Sequence, residues 1–335
     1  MQGKTIITGG AGFIGSHITK KLLDRGEKVV VVDNLSAGSR ENLEYLGVGG
    51  AEIIEADLTN WHDTRDIFDG ADTVYHMAAR VGGIPCLHDT EDAELVSLET
   101  NIAIDANVFR ACRESGVKKL IYPSSVSVYS MEKQKVPGAV FAEEDFVYPL
   151  SLNPTIDPDG GYGLAKVVGE TELNMAVGLK IGIARIFSVY GENEPQAANS
   201  HVLSRLIKSA INYPKEKMVI WGTGEQTRDY LYITDCADAL IKLAEVTENS
   251  SLCSGPIVVN GGAGRAVSIN ALAEKVIGIS GKKIKPVYDA KKPVGPVSRT
   301  ADISRAREIL DWEPKVGLED GLERTYKWIE SKARV

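Results

Sequence analysis

Cysteine is scarce in this sequence and unpaired. Cys86, Cys112, Cys236 and Cys253 are the 4 thiols of a 335-residue chain, and none shares the short spacing of a metal knuckle or redox pair. The 5 histidines form no ligand motif either, so no structural zinc or other metal site is expected. No uninterrupted apolar run approaches the roughly 20 residues that span a bilayer, so no membrane partner is expected. Only Met1, Gln2 and Gly3 precede the first strand-like run, which leaves no room for a signal peptide. Reduced thiols and a cytoplasmic location are the expectations that follow. Dense positive charge is missing too. The chain has 38 basic against 46 acidic side chains, a formal net charge of -8, and no basic run that would track a phosphate backbone. A nucleic-acid partner is not expected. An anionic ligand has to be held by a few placed arginines and backbone N–H groups.

Glycine is placed where it matters. Lys4 to Gly15 reads Lys-Thr-Ile-Ile-Thr-Gly-Gly-Ala-Gly-Phe-Ile-Gly, with apolar Ile6 and Ile7 before the glycines and Ile14, Ile18 and Leu22 after them at helical spacing. This pattern predicts a strand handing over to a helix at a dinucleotide site. Gly9 allows the tight turn, Gly12 lets backbone approach a pyrophosphate over the helix N-terminus, and Gly15 lets helix and strand pack closely. A second strand, Lys28 to Asp33, ends in a carboxylate at the spacing of one that accepts hydrogen bonds from adenosine ribose hydroxyls. Asp33 favours NAD over NADP, whose 2'-phosphate would face its charge; Arg40 is the nearby residue that argues the other way.

Strand-like and helix-like runs alternate through the first two thirds of the chain. Strands are expected at Thr5 to Thr8, Lys28 to Asp33, Glu52 to Glu55, Thr73 to Met77, Lys119 to Pro123 and Lys180 to Arg185, with amphipathic helices at Leu95 to Ser115 and Tyr162 to Val177. This alternation predicts an α/β fold, a doubly wound parallel sheet between two helical layers. Residues 1–190 read mainly as the nucleotide domain and residues 191–335 mainly as a smaller lobe, with the chain crossing back around 225–262. The proline-containing segment from Glu132 to Asp159 reads as a loop folded over or beside a site.

Tyr162-Gly-Leu-Ala-Lys166 places a phenol and an ammonium four residues apart, on one face of a helix. The ammonium, with a positive nicotinamide, is expected to lower the phenol's pKa and make it a general base. Upstream, Tyr122-Pro-Ser-Ser-Val-Ser-Val-Tyr129 ends a strand in hydroxyls at the carboxyl edge of the sheet, where open α/β folds bind ligands.

With these motifs the chain resembles the extended short-chain dehydrogenase/reductases of the NAD-dependent nucleotide-sugar epimerase/dehydratase family, from Gly9 to the tail Asp302 to Pro314. The resemblance implies a Rossmann-type domain with a smaller C-terminal substrate lobe, bound NAD, a UDP- or GDP-sugar substrate and a homodimer paired through Ala93 to Ser115 and Tyr162 to Ala176. It assigns catalysis to Ser125, Tyr162 and Lys166, with Ser127 nearby. It assigns cofactor contact to Gly9, Gly12, Phe13, Ile14, Gly15, Asp33, Asn34, Ser36, Asp57, Leu58, Ala78, Ala79, Tyr162 and Lys166. Arg185 to Gly191 is similar to the family's Arg-x-Phe-Asn-x-Tyr-Gly, with Ser188 replacing Asn. Trp221 to Asp229 is similar to its second-lobe signature, which makes Arg228 a candidate diphosphate clamp and Arg299 a second one. A salt bridge from Arg228 to Asp229 or Asp235, and an ordinary exposed Arg299, are the plainer alternatives.

The branch within the family turns on Val126, Ser127 and Val128. Sugar dehydratases and decarboxylases of the family usually carry acid there, so a catalyst that removes and returns a hydride, most simply a C4 epimerase, is expected. Met77 to Ile84 and Gly295 to Arg299 are similar to GDP-mannose 3,5-epimerases, yet those enzymes use cysteine where Ser127 stands. Cys86, His88 and His201 are the alternatives for that chemistry; a buried thiol and surface histidines are the plainer readings. Gly82 and Gly83 would give a turning sugar a wall of low bulk, and Asn199 is a further candidate substrate contact. A keto-sugar reductase and a non-catalytic NAD-binding regulator are the rival functions.

Overall fold

The computed structural model describes residues 3–81, 92–196, 201–249 and 255–333. The central sheet contains β1 (Lys4–Thr8), β2 (Val29–Asp33), β3 (Glu52–Glu55), β4 (Ala71–His76), β5 (Lys119–Ser125), β6 (Lys180–Ile186) and β7 (Ile257–Gly261). These lie in the order β7-β6-β5-β4-β1-β2-β3, every neighbour parallel. Strand order reverses between β1 and β4, the point at which open α/β sheets leave a crevice for ligands.

Two helical layers cover the sheet, as parallel strands require. Helices α1 (Phe13–Asp24) and α4 (Ile233–Asn249) pack together on one face; α2 (Ala93–Glu114) and α3 (Gly160–Met175) pack side by side on the other. Period-two alternation sorts the core residues. Ile6, Leu120 and Ile183 join Phe109 and Leu173 under α2 and α3, whereas Ile7, Ile121 and Ile186 join Ile18, Leu22 and Leu240 under α1 and α4. Each such side chain contributes about 1.5–3 kcal/mol through burial. The expected doubly wound sheet is therefore the one formed.

The smaller lobe is built around the strand Thr227–Tyr232, which pairs with Ser188–Tyr190, Ala266–Ser268 and Ser298–Ala301. Helices Val202–Asn212, Ile269–Ser280 and Leu318–Ala333 enclose its own core, with Leu206, Ile207, Leu272 and Leu322 at the centre. The segment 132–159 is more ordered than the loop expected of it. Its strand Val140–Phe141 pairs with Thr300 and Ala301, adding an edge to the lobe sheet. Phe141 draws it there, fully buried with its ring centroid 5.0 Å from that of Tyr129.

One buried ion pair fastens this segment to the main sheet. Arg185 on β6 donates through Nε and Nη2 to the two carboxylate oxygens of Glu170 on α3, at 3.0 and 2.8 Å, and through Nη1 to the Glu143 carbonyl at 2.9 Å. Both side chains of the pair are 3% exposed. Replacing Arg185 by Met would leave the carboxylate buried alone, and urea unfolding of Arg185→Met should show a loss of about 3–5 kcal/mol. A loss below about 1 kcal/mol would mean that the pair is not the fastening described.

Candidate active site

The glycine turn is shaped by what stands against it. Gly9 takes φ +63°, and a Cβ on Gly15 would lie 2.1 Å from the Gly9 carbonyl oxygen, so helix and strand meet only because Gly15 has no side chain. Gly12 caps α1 with no side-chain hydrogen bond of its own, leaving the first turn's N–H groups for a ligand. At the end of β2, Asp33 is buried and accepts from Ala11 N at 3.0 Å and Leu35 N at 2.9 Å. Burial raises its carboxyl above the ordinary value, and the two amide bonds pull it back.

The other cofactor candidates fall around this rim. Phe13, Ile14 and Ala79 line the cleft. Ala78 donates its N–H to Thr8 Oγ1 at 3.2 Å. Asn34 Oδ1 accepts from Ser36 N and Oγ at 3.1 and 2.7 Å, and Asp57 Oδ1 accepts from Thr59 N at 3.0 Å. Leu58 is a core side chain, so it faces a ligand through backbone only. Arg40 lies 3.9 Å from Glu55, an exposed and weak pairing.

The catalytic candidates converge because two elements approach without bulk. A Cβ on Gly163 would sit 2.5 Å from the Ser127 carbonyl oxygen, which also accepts from Asp159 N at 2.9 Å. The start of α3 thus presses on the turn that follows β5. Ser125 Oγ accepts from Ser127 N at 3.1 Å and faces the Tyr162 phenol, whose pKa it lowers. Lys166 is buried, with Nζ 4.2 Å from the Tyr122 ring centroid and 5.9 Å from that of Tyr162. Ser125, Ser127, Tyr162 and Lys166 all line one cleft of about 570 Å³ between the sheet and the lobe. Burial, seconded by Asp105, holds the Tyr162 phenol above its ordinary pKa, and Ser125 lowers it only in part. The expected lowering is thus not supplied by the protein's own groups.

Across the cleft, Arg228 and Arg299 stand opposite each other on paired strands. Arg228 Nη1 donates to the Thr227 and Pro296 carbonyls at 2.8 and 2.9 Å, whereas Asp229 and Asp235 accept from backbone N–H groups instead. Burial, followed by repulsion from Arg299, lowers it to about 10. Arg299 is not an ordinary exposed cation: it bonds Gln134 Oε1 at 2.6 Å and forms an ion pair with Asp159. Ser188 lines the same cleft. Gly82, Gly83, Cys86, His88 and Asn199 lie outside the described residues.

A family model described as "NAD dependent epimerase/dehydratase family" matches residues 5–253. The chain belongs to this family. It is 30% identical to a putative UDP-glucose 4-epimerase of Methanocaldococcus jannaschii, over 98% of this chain and 99% of that protein. It is 29% identical to a UDP-N-acetyl-alpha-D-glucosaminuronate decarboxylase of Bacillus cytotoxicus, covering 98% of each. Among solved structures, UDP-glucose 4-epimerase of Thermotoga maritima with UDP-glucose superposes with a TM-score of 0.83 at 28% identity, covering 98% of this chain and 99% of that one. These likenesses fix the family and leave the reaction to the site.

The cofactor that defines NAD-dependent family members fits the residues present. Ser124 Oγ lines the cleft, buried and with no protein partner, and the first turn of α1 behind Gly12 carries no side-chain cap on its N–H groups. Sequence reasoning missed the buried polar side of this family member. Ser97, Asn101 and Asp105 form a fully buried stripe on α2; their spacing of four was the available signal. It also missed Glu194, a buried carboxylate that bonds His201 Nδ1 at 3.0 Å and Ser204 Oγ at 2.8 Å.

Two outcomes follow. Gly15→Ala should weaken NAD binding by about tenfold or more in a fluorescence titration, about 1.4 kcal/mol. For His201, whose side chain is 48% exposed, desolvation lowers the pKa only in part and the hydrogen bond and charge of Glu194 raise it on balance. The pair's stabilisation is then full below about pH 6.5 and is lost as pH rises through the raised value. The melting-temperature gap between the natural protein and Glu194→Gln should narrow from about pH 6 to about pH 8.5; a constant gap would contradict this.

Proposed function

We propose that this protein is a nucleotide-sugar epimerase that inverts C4 of a UDP- or GDP-linked sugar through a transient keto-sugar. One observation carries the reading: Ser125, Tyr162 and Lys166 share a cleft whose acidic lining residues among the described ones, Asp159 and Glu194, are already held by Arg299 and by His201 with Ser204. Val126, Ser127 and Val128 add no acid beside Ser125. Chemistry that expels water or loses a carboxylate gains nothing from such a lining. Removing a hydride and returning it to the opposite face needs a bound nicotinamide to take and give it back, a base, a hydroxyl and space to turn.

The N–H groups after Gly12 and the carboxylate of Asp33 would hold the dinucleotide, and Lys166 would donate to its ribose. NAD, when bound, supplies the hydride acceptor and donor and, in its oxidised form, positive charge beside the phenol. Tyr162 takes the proton of the sugar C4 hydroxyl and Ser125 holds the resulting oxygen by hydrogen bonding. Arg228 and Arg299 hold the diphosphate while the sugar turns. Two guanidiniums side by side suit such a doubly charged ligand, which would relieve their mutual repulsion.

A second reading, proton exchange at C3 and C5, has His201 in its favour, since it lines the same cleft. Solvent deuterium separates the two, because hydride transfer at C4 incorporates none.

The working unit is a cytoplasmic homodimer. Leu95 and Val96 on α2 and Leu164 and Val168 on α3 are exposed side chains of two neighbouring helices. A second copy placed by a two-fold axis would cover this apolar face.

Incubating the protein with UDP- and GDP-sugars in deuterated water should give C4 epimers by NMR, free of deuterium on carbon. Failure of every sugar to invert while NAD stays bound would refute the reading. Tyr162→Phe should lower turnover about 10²–10⁴-fold with the melting temperature nearly unchanged.

A further inference from the structure

Below the cleft runs a chain of polar groups that the reaction above does not use. Thr8 Oγ1 lies 2.7 Å from His76 Nδ1, and His76 Nε2 lies 3.0 Å from Asp105 Oδ1. Tyr122 donates its hydroxyl to Asp105 Oδ2 at 2.6 Å. The order hydroxyl, imidazole, carboxylate is that of a nucleophilic triad, but Thr8 is 0% exposed and no substrate reaches it. The chain has another use.

Its protonation states follow from its partners. An ionised carboxylate only accepts, so His76 carries its hydrogen on Nε2 and Nδ1 accepts from Thr8. Burial pulls the His76 imidazole towards its neutral form and pushes the Tyr122 phenol up. Burial alone would raise Asp105, yet its pKa is lowered, because Lys166 and the bonds from His76 and Tyr122 outweigh burial. Asp105 thus bears a negative charge among neutral hydrogen-bond donors.

Among the described residues one cation, Lys166, is left to answer it. Glu170 on α3 also faces Lys166, but Arg185 on β6 engages both of its oxygens. Lys166 is 1% exposed, over the face of Tyr122, whose hydroxyl holds Asp105. The phenol touches both, with the ammonium over its ring face and the carboxylate at its hydroxyl, and donation to an anion makes its ring face more attractive to a cation. Gly169 keeps the assembly tight: a Cβ there would lie 2.4 Å from Tyr122 OH and 2.8 Å from Asp105 Oδ2.

We propose that Asp105 is a positioning residue of the active site, whose buried carboxylate, held by Tyr122 and His76, is the standing counter-charge that keeps the Lys166 ammonium protonated and in place. This rests on the role given to Lys166 above. A buried lysine without a counter-charge loses its proton readily, its pKa falling by up to several units. Burial does lower Lys166, and Asp105, followed by Glu170, opposes that fall. The remaining titratable groups facing it are Tyr162 on its own helix, Tyr122 on β5 and His76 on β4.

The test is a pH titration of the Lys166 side-chain nitrogen by NMR in the NAD-bound protein. The natural protein should keep the ammonium through about pH 8. Asp105→Asn keeps an acceptor for His76 and a group that can donate to Tyr122. Its Lys166 midpoint should drop by about one pH unit or more, with NAD affinity falling about tenfold above the new midpoint. Tyr122→Phe, which retains the carboxylate, should move the midpoint less than half as far. Superimposable Lys166 titrations in the natural protein and Asp105→Asn would overturn the proposal. So would a Lys166 already neutral at about pH 7 in the natural protein, a result readable even if Asp105→Asn does not fold. Absence of sugar inversion would refute the proposed reaction and leave this titration standing.

Discussion

Everything at the reacting end depends on how closely α3 is allowed to approach the turn after β5. Gly163 leaves the Ser127 carbonyl free to face the helix, and the Asp159 amide closes the gap with a hydrogen bond to the same oxygen. A side chain there would prise phenol and hydroxyl apart by more than a hydrogen bond tolerates. Ser125, Tyr162 and Lys166 come from two elements whose separation is set by backbone contact, which is stiffer than a contact between side chains.

Buried charge is handled in three ways, and each suits its place. Arg185 and Glu170 meet directly, which fastens the segment 132–159 to the main sheet. Asp229 is held by backbone N–H groups of Ala263, Gly264 and Ala301, and joins lobe loops instead of binding Arg228. Asp105 is held by hydrogen bonds from His76 and Tyr122, while Lys166 lies over the Tyr122 ring without bonding the carboxylate. A direct bond would occupy the ammonium; this arrangement leaves it free to donate towards the cleft.

Much of this was legible in the sequence because local rules decide it. The glycines, the carboxylate ending β2 and the Tyr-to-Lys spacing each belong to one element, where spacing alone fixes the facing side. The strand Val140–Phe141 was not legible, since two residues carry no periodicity and only the pairing with Thr300 and Ala301 makes them a strand. Nor was the Arg299–Asp159 pair, which joins residues 140 apart. Asp105 hides for a related reason. An acid on an amphipathic helix reads as solvated unless its neighbours at Ser97 and Asn101 are also recognised as inward-facing.

The ion pair between Arg299 and Asp159 spans the lobe and the main sheet. Arg299 belongs to a lobe strand, whereas Asp159 opens the helix that carries Tyr162 three residues later, about 4.5 Å along its axis. The reach from guanidinium to phenol is therefore fixed by one bond and less than one helical turn. In the proposed reaction such spacing would gauge length: a ligand too short or too long between its anionic group and its carbinol would meet one end of the gauge and miss the other.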